Sequence, residues 1–160
     1  MDGQIKVRVT DEKLAFEKAC NFCAYQERSQ QEARDKLYEI GLYPDAVERV
    51  ISELIQGGFI NEDRFAKAYA KGKFSQKAWG RIKIKQGLKL KRVPDGLIKK
   101  ALLIIDADDY TIALKRVLEK KAATLPEKNA LKRRYKLQQY AMGRGYEADI
   151  IADVLKNSDL

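Results

Sequence analysis

Cys20 and Cys23, spaced as C-x-x-C, are the residues whose types and spacing most resemble a chemical site. Such a pair can supply half of a tetrahedral zinc centre or a redox couple. The usual zinc centre needs four ligands, and the chain has no other cysteine and no histidine. A redox pair needs a thiolate stabilised by a helix start or by nearby positive charge. These two residues instead fall in the pattern Leu14, Ala15, Ala19, Phe22, Cys23, the spacing of one apolar helix face. They are expected as small core residues, and a disulfide is not expected in a cytoplasmic chain. The lack of histidine also removes Ser-His and Cys-His nucleophile activation and the usual acid–base group near neutrality. There is no G-x-x-x-x-G-K-S/T phosphate loop, and Gly143-Arg144-Gly145 is too short for a dinucleotide fingerprint. Carboxylates are scattered. No catalytic set, metal or cofactor is expected, and the chain is not read as an enzyme.

What remains is charge. The 160 residues hold 32 Lys and Arg against 23 Asp and Glu, a net of +9. Between Lys67 and Lys100 twelve basic residues meet a single acid, Asp95, so this segment carries +11 and the rest of the chain −2. A field so focused suits a polyanion or an acidic protein groove, where a solvated helix face would ordinarily mix signs. The candidate binding cations are Lys73, Lys77, Arg81, Lys83, Lys85, Lys89, Lys91 and Arg92. Trp79 and Ile82 are candidate apolar anchors among them, since aromatic and Arg contacts tend to dominate interface energies.

The elements that must position these residues read as helices. Apolar stripes at helical spacing run through Val47, Val50, Ile51 and Leu54, then Phe65, Ala66, Tyr69 and Ala70. They continue through Leu97, Ile98, Ala101, Leu102 and Ile105, through Tyr110, Leu114, Val117 and Leu118, and through Ile150, Ile151, Val154 and Leu155. Ser29-Gln30-Gln31-Glu32 has the form of a capping box, and Asn61 and Asp106 are plausible N-caps. Pro44, Pro94 and Pro126 are expected near helix starts, and Gly41 and Gly57-Gly58 at helix ends. No run approaches the ~20 apolar residues of a membrane span. MDGQIKVRVT lacks the apolar region of a secretory leader, so a cytoplasmic protein with no membrane partner is expected.

The stripes repeat. Leu37, Leu42, Val47, Val50 and Ile51 recur 51 positions later as Leu88, Val93, Ile98, Ala101 and Leu102. A further 53 positions give Ala141, Tyr146, Ile151, Val154 and Leu155, and Ala33, Ile84 and Leu137 coincide ahead of them. The expected fold is all-α: three tandem three-helix repeats, 11–58, 59–106 and 107–158, in an elongated, curved array. Within the second lies RIKIKQGLKLKRV (residues 81–93), whose apolar–cationic alternation about Gln-Gly also reads as a two-residue hairpin. The repeat favours a helix, with Ile84 and Leu88 facing the core. Trp79, Ile82 and Leu90 form a second stripe where repeat 1 has the polar Arg28, Gln31 and Glu39. That stripe is either packing within the chain or a partner anchor. Gly87 opposes the helix, costing about 1 kcal/mol relative to Ala.

Gly58-Phe59-Ile60-Asn61-Glu62-Asp63-Arg64-Phe65-Ala66-Lys67-Ala68-Tyr69 resembles the G-hydrophobic-hydrophobic-D/N-D/E-x-R-F-A-x-x-Y core of the RecX regulatory protein family. Trp79-Gly80-Arg81-Ile82 and the Ala101-Leu102 segment are similar to that family's G-x-x-R/K-I and A-L elements. Ser29-x-x-Glu32 resembles its S-R-x-E-L, with Gln30 for Arg and Ala33 for Leu. The family's E-L-x-x-K-G is Gly87-Leu88-Lys89-Leu90-Lys91-Arg92 here, an acid lost and a base gained. The resemblance implies a modulator that binds the RecA recombinase–DNA filament and inhibits its ATPase and strand exchange, with no cofactor. Some members bind DNA themselves, so single- or double-stranded DNA is a further expected partner. The chain is expected as a monomer. The competing expectation is a helical nucleic-acid-binding protein with no recombinase partner. Arg64 and Phe65 are expected to be structural, Phe65 in the core and Arg64 paired near a helix start.

Overall fold

A computed structural model describes residues 8–160. The expectation for the leader region falls largely on residues 1–7, outside the described residues. Those described form helices and connections without a strand. Repeat 1 contains α1 (Glu12–Tyr25), α2 (Gln30–Glu39) and α3 (Pro44–Gln56). Repeat 2 contains α4 (Glu62–Lys77), α5 (Arg81–Leu90) and α6 (Asp95–Leu102), and repeat 3 contains α7 (Ala107–Thr124), α8 (Ala130–Gly143) and α9 (Ala148–Lys156). The chain packs as two compact units. One holds residues up to 66 with 91–93, and the other 67–90 with 94–160.

The repeated positions are the buried ones. Ala33, Ile84 and Leu137 are fully buried, as are Leu37, Leu88 and Ala141. Leu42, Val93 and Tyr146, then Val47, Ile98 and Ile151, are buried in their turn. Leu102 departs from the pattern, half-buried where Ile51 and Leu155 are buried. Fully burying an aliphatic side chain of this size contributes about 1.5–3 kcal/mol, so the repeat is held at the positions that stabilise it most.

Local signals set the helix limits. Ser29 and Glu32 form the reciprocal capping box, with the Glu32 amide donating to Ser29 Oγ at 3.0 Å. Asn61 accepts from the Arg64 amide and Asp106 from the Asp109 amide, each at 2.9 Å. Pro44 opens α3, and Pro94 immediately precedes α6. Pro126 does not start a helix. It lies in the connection ahead of Asn129, whose side chain caps α8. Gly41 and Gly58 end their helices at φ +94° and +75°, the left-handed region where a Cβ is costly.

Arg81–Leu90 is helical, so the hairpin alternative is set aside. Ile84 and Leu88 are fully buried, while Ile82 and Leu90 on the opposite side stay 44% and 85% exposed. Two helical faces superposed produce the strand-like alternation. Gly87 is required by packing: a Cβ there would lie 2.1 Å from the Tyr69 hydroxyl oxygen. The approach of the Tyr69 ring to the α5 backbone offsets glycine's poor helix propensity.

In α1, Ala15, Ala19 and Cys23 are buried, and Cys20 and Phe22 are half-buried. Leu14, expected on this face, is 43% exposed. Both thiols are free. Burial pushes the Cys23 thiol up to about 11, and burial also raises Cys20, opposite to what a reactive pair needs. Phe65 is buried, and the Arg64 guanidinium pairs with Glu27 and donates to the Gly58 carbonyl at 3.0 Å. No group of three or more His, Cys, Asp or Glu among the described residues could hold a metal ion. No described helix is long and apolar enough to cross a membrane.

Candidate partner-binding surface

The surface is built where α4 ends and α5 begins. Ala78 turns the chain at φ +53°. Gly80 then lies against a backbone turn of repeat 3, where a Cβ would come within 2.2 Å of Gly145. That closeness serves the start of α5, whose first amides have no intrahelical acceptor. The Gly80 amide donates to the Arg144 carbonyl at 2.8 Å, and the Ile82 amide to the Gly145 carbonyl at 3.0 Å. The Arg81 amide donates to the Tyr110 hydroxyl at 3.0 Å. Where α2 has a serine cap, α5 uses distant backbone and a tyrosine.

Arg81 belongs to this joint. Its guanidinium lies 3.8 Å over the Tyr110 ring and donates to Glu147 at 3.0 Å. The Tyr110 hydroxyl donates to the other Glu147 oxygen. Burial, then the Glu147 hydrogen bond, push the Tyr110 phenol well above its usual range. Tyr146 packs against Tyr110 with the rings tilted by 41° and their centroids 5.0 Å apart, and donates to the Ala78 carbonyl at 2.9 Å, and burial takes its phenol up to about 12. The structure thus gives Arg81 an internal ion pair where the sequence suggests an outward-facing cation. Lys91 also has an internal partner, Glu32.

Trp79 is half-buried between two lysines. Lys73 Nζ stands 4.9 Å and Lys83 Nζ 4.6 Å from its ring centroid, and Lys73 also lies 5.4 Å from the Tyr69 ring. Cation–π contacts of this kind contribute about 0.5–1 kcal/mol when exposed. Lys77, Lys85, Lys89 and Arg92 are exposed and have no acidic partner among the described residues. Helical spacing puts Ile82, Lys85, Gln86, Lys89 and Leu90 on one outward face of α5. The ten candidates therefore divide into the exposed cations Lys77, Lys85, Lys89 and Arg92, the exposed Ile82, a Trp79 flanked by Lys73 and Lys83, and the internally paired Arg81 and Lys91. The sequence reading missed Tyr110, Glu147 and Gly145, which lie 29 to 66 residues from Arg81 along the chain. Short-range motifs carry no signal for such partners.

Comparison with known proteins identifies the family. Residues 15–54, 61–102 and 108–155 match the first, second and third three-helix domains of RecX in turn. A regulatory protein RecX of Clostridium acetobutylicum is 33% identical over 146 residues, which is 89% of this chain and 67% of that protein. The chain belongs to the RecX family. A regulatory protein RecX of Mannheimia succiniciproducens is 30% identical over 145 residues, 90% of this chain and 94% of that protein. The chain spans less of the RecX of Clostridium perfringens, 61% of its length. The crystal structure of RecX from Lactobacillus salivarius, at 23% identity, superposes with a TM-score of 0.83 over 91% of this chain and 95% of that one. The all-α fold of three three-helix repeats is therefore shared with RecX proteins, and α5 lies in their second domain.

Proposed function

We propose that this chain modulates the RecA–DNA filament, binding it through the outward face of α5 and chiefly inhibiting its ATPase and strand exchange. The observation that carries this is the placement of Lys85 and Lys89, exposed and without acidic partners among the described residues, on one face with Ile82 and Leu90 in a RecX-family chain. The cations would meet acidic groove residues of the filament, and Ile82 and Leu90 would be desolvated as anchors. Trp79, held by Lys73 and Lys83, would stiffen the flank. Lys77 and Arg92 extend the field. Repeat boundaries at 58/59 and 106/107 would leave these residues within the second repeat. The protein acts as a cytoplasmic monomer without a cofactor.

The test is RecA's DNA-dependent ATPase with added protein. Stoichiometric excess should inhibit, and the Lys85→Glu/Lys89→Glu double variant should not, while its circular dichroism stays helical. No inhibition by the unaltered protein would sink the reading. The same cations also suit a plain DNA-binding role. Binding to naked DNA and to RecA-coated DNA over a salt series separates the two, because phosphate contacts give a steep log–log salt slope. Equal affinity for both would favour the DNA-binding role.

A further inference from the structure

The net charge conceals a second basic segment. From Lys128 to Tyr146 there are six basic residues and no acid, so this stretch of repeat 3 carries +6, cancelled in the total by acids elsewhere. Three of the six are held internally. Arg133 donates to the Ala122 and Leu125 carbonyls at 2.8 and 3.0 Å, Lys136 pairs with Glu127 at 3.1 Å, and Arg144 donates to the Lys77 carbonyl. Lys128, Lys132 and Arg134 are exposed without acidic partners among the described residues.

Beside them, Leu131, Tyr135, Gln138 and Met142 fall at i, i+4, i+7 and i+11, one face of α8. Leu131 is 82% exposed, Tyr135 63% and Met142 43%. Scattered apolar residues are ordinary on a surface, but a row of them on a helix whose own charges are all basic is not. In repeat register Tyr135 matches Ile82 and Met142 matches Lys89, so α8 presents the counterpart of the α5 face. The two faces belong to one packed piece: α8 runs into the 144–145 turn that receives the first amides of α5.

We propose that the α8 face is a second docking surface, for an acidic protein surface bearing an apolar strip, and that it engages the same filament as α5. This rests on the filament reading. Charge complementarity selects an acidic partner. Leu131 and Met142 offer no ring face to a base and favour protein over nucleic acid, and Tyr135 between them would pack on the same apolar strip. Two faces on one chain act by effective concentration, so losing either weakens the whole by more than its own contacts suggest.

The experiment uses the full chain with Lys132→Glu/Tyr135→Glu, both exposed, alongside Lys85→Glu/Lys89→Glu. Cosedimentation with RecA filaments on poly(dT) reads filament affinity, fluorescence anisotropy with poly(dT) alone reads nucleic-acid affinity, and circular dichroism melts check folding. The expected result is at least a tenfold loss of filament affinity for the α8 variant, with poly(dT) binding and melting unchanged. An α8 variant that binds filaments like the unaltered protein overturns the second surface and leaves the α5 reading standing. A parallel loss of poly(dT) binding overturns it too, assigning α8 to nucleic acid. An unaltered protein that does not cosediment removes both readings. If the double variant melts early, Arg134→Gln alone, which removes one exposed charge, must still lower filament affinity or the proposal fails.

Discussion

Arg34 on α2 is held by Glu48 on α3 at 2.7 Å, and its pKa is raised while that of Glu48 is lowered by the hydrogen bond between them. Fifty-one positions on, the same two places are Lys85 on α5 and Lys99 on α6. The repeated core positions around them match in burial except at Leu102, half-buried where Ile51 is buried. On the outside, repeat 1 closes its charges on itself, through Arg34–Glu48, Arg49–Glu12 and a Gln31–Asp35 hydrogen bond. Repeat 2 leaves Lys85, Lys89 and Arg92 open. One scaffold thus carries two opposite outer faces. Its buried positions specify the repeat, and its outer positions decide whether a charge is paired within the repeat.

The largest expected effect tests the shared core. Leu37→Ala and Leu88→Ala should each cost about 2–5 kcal/mol, read from urea unfolding. A neutral result at either position would break the equivalence. Gly87→Ala comes next. Propensity alone predicts a gain, but the collision with Tyr69 should turn it into a loss of about 1–3 kcal/mol, and a stabilised variant would show that Tyr69 yields freely. Lys85→Glu/Lys89→Glu should reduce filament affinity more than tenfold, about 1.4 kcal/mol per factor of ten, with stability within about 0.5 kcal/mol of the parent. Arg34→Gln on α2 should leave filament binding alone, and a matching loss there would erase the contrast between the faces. Lys99→Glu sharpens it further, by restoring the repeat 1 pairing beside Lys85. Filament affinity should fall while stability changes by less than about 1 kcal/mol, since exposed pairs contribute little.

The smallest effect is one of pH. The Cys23 thiol is raised from 9.0 to about 11 in the folded chain, so above pH 9 the unfolded chain releases its proton first. Stability should therefore fall as pH rises from about 9 to 11, and Cys23→Ala should flatten that fall in denaturant titrations.

The caps and the cationic helix were legible because each rests on spacing within one element, and the repeat because one such pattern recurs along the chain. Ile84 and Leu88 announced the buried face of α5, and Asn61 and Asp106 sat where caps must sit. Arg81 was misplaced for a different reason. Its partner Glu147 lies 66 residues away, and only the folded chain brings it within 3.0 Å. Lys91 and Glu32 repeat that lesson at a separation of 59 residues. The charge of α8 escaped because net charge sums away a local excess. Gly87 looked like a flaw because the hydroxyl that requires it belongs to α4.

α2 can finish its first turn with Ser29 and Glu32, residues that leave the ribosome together. α5 cannot. Its opening amides wait for Tyr110 and for the Arg144–Gly145 turn. Until the last repeat has emerged those amides lack these acceptors, and a chain stopped after residue 106 should carry the proposed binding residues on a helix frayed at its start.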